Sequence, residues 1–276
     1  GYISSDYSKV MAFSDIGVEL AKAGQTQHAL QIFDKALNVA GSISDDFYKA
    51  QALNIIAWKL AEAGQFDKAV NVTGSSGDYS KAFALSKIAS ELAKARQFDK
   101  AFDVAGSISD DSEKAEALSD IASELAKARQ FDKAVNVARS ISDDYSKASA
   151  LNVIAEELVK VGQTQQTLQI FDDTLNVAGS ISDDHYKAWA LRDIVVELAK
   201  VGQTQQTLQI FDDAVNVAGS ISNDSEKVWA LRNIVVELAK AGQLDKALNV
   251  AGYISSDYSK VMAFSDIGVE LAKAGQ

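Results

Sequence analysis

Apolar residues recur along this chain at the spacing of a helix face, and the same face is drawn repeatedly. In residues 117–128, Leu118, Ile121, Ala122 and Leu125 sit at i, i+3, i+4 and i+7, which makes one apolar stripe along a helix. A shorter pattern follows over residues 131–141, where Phe131, Ala134, Val135 and Ala138 share a face. Ser142-Asp143-Asp144, or a close variant, stands before each longer pattern. Oxygens there can take up the orphan N–H groups of a helix start, and a carboxylate suits its positive end. Gly64, Gly162 and Gly202 follow the longer pattern, and Arg96 and Arg129 take that place in two copies. Glycine there is a helix stop. The pattern predicts two helices joined by a tight turn.

This two-helix unit is copied along the chain. Cutting after each Gly-Gln or Arg-Gln gives units 1–25, 26–65, 66–97, 98–130, 131–163, 164–203, 204–243 and 244–276, about seven and a half in all. A fixed period of this length predicts an all-α solenoid of tandem helix-turn-helix repeats, here one body over 1–276. Residues 1–25, GYISSDYSKVMAFSDIGVELAKAGQ, return letter for letter at 252–276. Three units carry seven extra residues, Thr26–Ile32, Thr164–Ile170 and Thr204–Ile210. Seven residues are nearly two turns, so the second helix grows by roughly 10 Å while its buried face drifts by only about 20°. The inserted block is polar on one side and is expected to form a ledge on the outer layer. Unit 66–97 has the linker Gly74-Ser75-Ser76-Gly77-Asp78 and lacks the isoleucine found at Ile43 and Ile108, so a looser joint is expected there.

The string LxxIAxELAKAGQFDKALxxA resembles the tetratricopeptide repeat. In the last pair of units Leu231, Ile234, Val235, Leu238, Gly242 and Ala247 fall on that family's packing positions. Ala251 stands where the family has a large aromatic, and Ser259 lies near its closing proline. The first helix also carries leucine where the family prefers tryptophan. The resemblance covers essentially the whole chain. It implies a right-handed α-solenoid that binds a peptide or protein segment along its concave face.

Comparison of the units with one another locates a candidate surface. Lys9, Lys49, Lys81 and their counterparts are lysine in every unit, and Ala12, Ala52, Ala84 and theirs are alanine. Small fixed residues let helices approach closely. Four positions of the first helix vary freely, at i, i+3, i+4 and i+7. The first reads Met11, Gln51, Phe83, Glu116, Ser149, Trp189, Trp229, Met262. The second begins Ser14, Asn54, Ser86, the third Asp15, Ile55, Lys87, and the fourth Val18, Trp58, Ser90. A core position does not accept Glu, Ser and Trp in equivalent settings, so this face is expected to be exposed. From 164 onward it turns apolar and aromatic. The candidate binding residues are Met11, Trp58, Phe83, Trp189, Arg192, Val196, Trp229, Arg232, Val236, Met262 and Val269. Exposed tryptophan beside arginine is the composition of binding hot spots, and the groove is expected to take an apolar, acidic segment.

Composition narrows the role further. The net charge of −11 repels phosphate backbones and argues against nucleic acid. No apolar run approaches a membrane span. With no cysteine and two histidines, His28 and His185, in distant units, neither a zinc site nor a disulfide framework is available. The Asp45-Asp46 and Asp183-Asp184 pairs lack calcium-loop spacing and read as helix caps. No phosphate loop is present, no cofactor is implied, and no set of catalytic roles can be assembled. A non-enzymatic scaffold is expected. The alternative is a structural repeat protein that assembles head to tail into a filament or ring, as a window on a longer repetitive polypeptide. Neither terminal unit carries a polar cap, so the ends are expected to be adhesive. The compartment is left open.

Overall fold

A computed structural model describes the backbone of residues 2–74, 78–202 and 204–273, and the side chains of these apart from 2–5 and 78–80. Among the described residues there are fifteen α-helices and no strand. The chain is all-α and built from tandem helical hairpins of tetratricopeptide-like form. The first helices are α1 (Tyr2–Lys22), α3 (Asp46–Glu62), α5 (Asp78–Lys94), α7 (Asp111–Lys127), α9 (Asp144–Lys160), α11 (Asp184–Leu198), α13 (Asp224–Lys240) and α15 (Asp257–Lys273). The second helices are α2 (Thr26–Gly41), α4 (Phe66–Thr73), α6 (Phe98–Gly106), α8 (Phe131–Arg139), α10 (Thr164–Ser180), α12 (Gln205–Gly219) and α14 (Leu244–Gly252).

Helix starts are capped as the Ser-Asp-Asp pattern predicts. The Asp45 carboxylate accepts from the Phe47 and Tyr48 N–H groups at 3.0 and 3.1 Å. Asp143, Asp183 and Asn223 do the same for α9, α11 and α13. Each such cap is worth roughly 1 kcal/mol.

The turn inside a hairpin is tighter than the sequence alone conveys. Gly64 has φ +73°, and the next residue serves both helices. The Gln65 N–H donates back to the Leu60 carbonyl at 2.8 Å, and the Gln65 carbonyl accepts from the Ala69 N–H at 2.9 Å. The glutamine side chain takes no part in the cap. Gln25, Gln97, Gln163 and Gln243 repeat this arrangement. One peptide unit thus satisfies an end of each helix. Arg96 and Arg129 hold the same left-handed conformation at φ +60° and +61°, where a Cβ costs energy that glycine avoids.

The described helices fall into two compact units, Gly1–Leu125 and Ala126–Gln276. In the first, α1 packs on α2 and α3, α3 on α4 and α5, and α5 on α6. In the second, α9 packs on α10 and α11, α11 on α13, and α13 on α14 and α15. Within each unit the first helices stand side by side. Ile56, Leu60, Ile88 and Leu92 fill the seam of the first unit, and Leu151, Ile154, Leu158, Phe171 and Phe211 that of the second, all but sealed from solvent. Burying each such side chain contributes about 1.5–3 kcal/mol. Ala52, Ala84, Ala150 and Ala263 are fully buried, as close packing of the first helices requires. Ala12 is the departure: it is exposed, because no hairpin precedes α1 among the described residues.

The seven-residue insertions lengthen the second helix. Helices α2, α10 and α12 have 16, 17 and 15 residues, against 8 or 9 for α4, α6, α8 and α14. On α10, Gln165 and Gln169 face solvent while Thr167, Leu168 and Ile170 are buried, which is the expected amphipathic ledge. The looser joint expected at 75–77 lies outside the described residues. A feature the hydrophobic pattern does not show is an ionic ladder between successive second helices. Lys68 reaches Asp34 at 2.6 Å, Lys100 reaches Asp67 at 3.9 Å, and Lys246 reaches Asp212 at 2.6 Å. The Phe-Asp-Lys triplets at 33–35, 66–68 and 98–100 supply the first two rungs, and Phe-Asp-Asp at 211–213 with Leu-Asp-Lys at 244–246 the third.

Candidate functional site

The variable face of the first helices is open at its first position. Met11, Phe83 and Trp189 are 45%, 40% and 40% exposed. Trp58 and Val269 are exposed as well, and Val196, Trp229, Val236 and Met262 are half-buried. The rest of the face is less uniform than the sequence suggests. Ser14, Asn54, Ser86, Ser90 and Val18 are buried, where variation among units pointed to solvent. Two of these small hydroxyls find partners on their own helix: Ser14 donates to the Val10 carbonyl at 2.8 Å and Ser90 to that of Ser86 at 3.0 Å. Such back-bonding lets a polar residue enter a seam without an orphan donor. Ser90 also donates to Asp120 on α7. In the first compact unit the open face therefore shrinks to Met11, Trp58, Phe83 and their neighbours. The Lys59 ammonium lies 4.7 Å from the Trp58 ring centroid and that of Lys87 5.1 Å from Phe83, within cation–π range.

The second compact unit gathers the larger surface. At the start of α11, Trp189 packs at a tilt on His185 with centroids 4.4 Å apart and meets the edge of Tyr186 at 6.4 Å. Tyr186 in turn lies 4.7 Å from Tyr145 of α9. The His185 Nδ1 is 3.1 Å from a Glu226 oxygen on α13. Burial, joined by the charge of Asp193, pushes the Tyr145 phenol above its ordinary pKa, so it remains a neutral hydroxyl. On the next helix Trp229 and Arg232 line a groove of about 480 Å³ with Asp224, Val228, Ser256 and Ser259. Met262 sits on α15, which packs on α13. Trp189, Trp229 and Met262 thus occupy neighbouring first helices.

The arginines are already matched. Arg232 holds Asp266 of α15 through two hydrogen bonds of 2.6 and 3.2 Å, and its pKa is raised by that carboxylate. Arg192 holds the adjacent Asp193 at 2.9 Å. Their guanidinium charge is largely spent inside the chain, so the surface is aromatic and close to neutral. Periodicity placed the arginines on the variable face but could not reveal their partners.

Sequence reasoning missed a second groove, of about 490 Å³, between α10 and α12. Asp172, Asn176, Gln206, Gln209 and Asp213 line it. Burial, reinforced by Asp213 and Asp173, holds the Asp172 carboxyl above its usual range. The repeated Phe-Asp-Asp at 171–173 and 211–213 was the available signal. Among the described residues no three His, Cys, Asp or Glu side chains cluster as metal ligands, and no helix is long and apolar enough to cross a membrane.

No family model matches the chain, and no curated protein matches it either. Several solved structures are similar in their helical arrangement. Ton1535 from Thermococcus onnurineus NA1 shares 18% identity over 95% of this chain and 80% of its own, with a TM-score of 0.43. A Rap protein complexed with Competence and Sporulation Factor shares 15% over 97% of this chain and 80% of its own, with a TM-score of 0.35. The nearly identical TPR-like repeats of a Podosopora anserina kinesin light chain share 12% over 79% of this chain and 98% of their own, with a TM-score of 0.31.

Proposed function

We propose that this chain is a non-enzymatic interaction scaffold, and that it holds a largely apolar peptide or protein segment across the first helices of its second compact unit. The observation that carries this reading is the half-exposed Trp189, packed at a tilt on His185 and against the edge of Tyr186, with Trp229 on the neighbouring helix lining a groove. Large rings fixed by their neighbours offer contact area at little entropic cost, and such residues dominate binding energy. Pairing of Arg192 and Arg232 with aspartates shifts the reading from an acidic segment toward an apolar one. Asp224 and the serines at 255, 256 and 259 supply polar contacts at the rim.

Selection of a phage-displayed random peptide library on the purified chain tests this. The enriched peptides should be rich in apolar residues. Their affinity should fall by roughly tenfold or more on Trp189→Ala and again on Trp229→Ala, while circular dichroism stays unchanged. Failure to enrich any peptide, or equal binding to the double variant, overturns the reading.

A further inference from the structure

One rung of the ladder between second helices is built without its cation. At the lysine position of that ladder the chain carries Lys35, Lys68, Lys100, Lys133 and Lys246, but Asp173 on α10 and Asp213 on α12. The change on α10 is answered inside the fold. Arg139 ends α8 at a position where α10 and α12 carry Gly179 and Gly219, and its guanidinium pairs with Asp173. The change on α12 has no such answer. The residue placed to reach Asp213 is Gly179, which precedes it by the same separation that sets Arg139 before Asp173. Glycine has no side chain to offer.

The groove of about 490 Å³ between α10 and α12 lies at this incomplete rung. Asp172 and Asp213 line it together. Asp172 holds the position from which Asp34, Asp67 and Asp212 each meet a lysine of the next unit, but here the next unit presents Asp213. Among the described residues no hydrogen bond or ion pair satisfies Asp172, and Asp213 accepts only from Gln209 of its own helix, at 3.2 Å. Burial first, and the Asp213 charge next, raise the Asp172 pKa, as two like charges sharing a site must. The neighbouring cations are engaged elsewhere, Arg139 on Asp173 and Lys246 on Asp212. Gly179 borders the groove: a Cβ added there meets only Val217 Cγ2 of the groove wall, at 4.0 Å.

We propose that this groove takes an arginine side chain from a basic segment of a partner protein, which supplies from outside the pair that Arg139 makes from within. The Arg139–Asp173 pair, on the equivalent helices one unit earlier, is the internal pattern for that contact. A guanidinium presents five donors in a planar fork, suited to two carboxylates and the amide oxygens beside them. Asn176 and Gln206 bring such amides to the groove. Leu175, Ile210 and Val217 form an apolar wall, along which the methylene stem of an arginine can lie. A calcium ion is a poorer fit: it takes six or more oxygens, and among the described residues no three carboxylates or histidines cluster for a metal. The groove is larger than one side chain, so residues beside the arginine enter with it. It lies between second helices, whereas Trp189 and Trp229 belong to first helices. The proposal therefore does not depend on the aromatic surface and survives if that reading fails.

Titration of the full chain with a blocked pentapeptide, one arginine flanked by leucine and alanine, tests this when followed through backbone amide NMR shifts. The shifts should concentrate at residues 172–179 and 206–217. A citrulline form of the peptide, similar in shape but uncharged, should bind roughly tenfold weaker or worse, and a lysine form several-fold weaker. Gly179→Arg places the missing side chain in the chain itself. It should raise the melting temperature and lower peptide affinity by roughly tenfold or more. Gly252→Arg makes the same charge change at the end of α14, where a Cβ meets nothing within 4 Å, and should leave binding as it was. Asp213→Lys restores the rung to Asp172 and should abolish binding by a second route. Absence of shifts up to millimolar peptide, shifts scattered over the acidic surface, a citrulline or lysine form that binds as well, or a Gly179→Arg or Asp213→Lys variant that binds like the parent each overturns the proposal.

Discussion

At the scale of single residues, the left-handed turn positions show where repetition was not enforced. Gly24, Gly64, Gly162 and Gly242 share φ between +73° and +76°, while Arg96 and Arg129 adopt +60° and +61°. A side chain with a Cβ is strained there by roughly 1 kcal/mol. Arg96→Gly and Arg129→Gly should each raise the stability of the chain by about that amount, read as a shift of the urea midpoint. Little is lost on the other side, since both arginines are exposed. The same scale exposes what sequence reading could not supply. Variation among units marks a face as tolerant, yet Ser14 and Ser90 show that tolerance can mean a small hydroxyl bonded to its own helix. Serine and tryptophan look alike to that argument. Only the distance to the neighbouring helix separates them.

Between elements, charge pairs of opposite character predict opposite pH responses. Glu62 joins α3 to α1 through Lys59 and Lys22, each at 3.1 Å. Burial alone would raise its pKa, but the two ammonium groups outweigh burial and hold it below the ordinary value. A depressed carboxylate contributes stability above its unfolded pKa of about 4.3 and loses it as pH falls through the folded value. Glu62→Gln should therefore weaken the fold at neutral pH, by no more than about 1 kcal/mol for so exposed a pair, and the difference should close in acid. Asp172 is the reverse case: burial, with Asp213 and Asp173, raises its pKa. Such a group opposes folding once ionised, so Asp172→Asn should stabilise at neutral pH and lose that advantage toward pH ~3. Thermal melts of both variants across pH check the two signs. The insertions give a geometric test at the same scale. Deleting residues 26–32 would leave the turn reading Gly-Gln-Phe-Asp-Lys, as at residues 64–68. Deleting only two residues there would swing the buried face by roughly 160°. Circular dichroism and melting should show a folded chain for the first deletion and a large loss of stability for the second.

For the molecule as a whole, the fold was legible because every unit repeats the same instructions: an Asp cap, an apolar stripe, a Gly-Gln turn, a second stripe. Agreement across local signals is what specifies a structure. Legibility ended where identical letters meet different surroundings. Residues 161–173 and 201–213 have the same sequence, yet α10 begins at Thr164 directly after the turn, while α11 stops at Leu198 and Thr204 caps α12. The segment 2–5 is helical and its copy 253–256 is not. No reading of a string can assign two conformations to one word. The candidate surface was legible by helix and by face, through Trp189 and Trp229, but the pairing of Arg192 with Asp193 and Arg232 with Asp266 was not. Spacing alone did not resolve which carboxylates they would meet.

The lysine–aspartate ladder along the second helices has a consequence for how such a gene can change. Each rung draws its two ends from matching positions of consecutive units: Asp34 with Lys68, Asp67 with Lys100, Asp212 with Lys246. Excision or duplication of a copy that carries both the aspartate and the lysine, by unequal crossing-over, would rejoin one intact end to another, and no lone charge would be stranded at the scar. Lineages carrying this gene should therefore tolerate gains and losses of entire units far better than point changes within a rung-bearing turn.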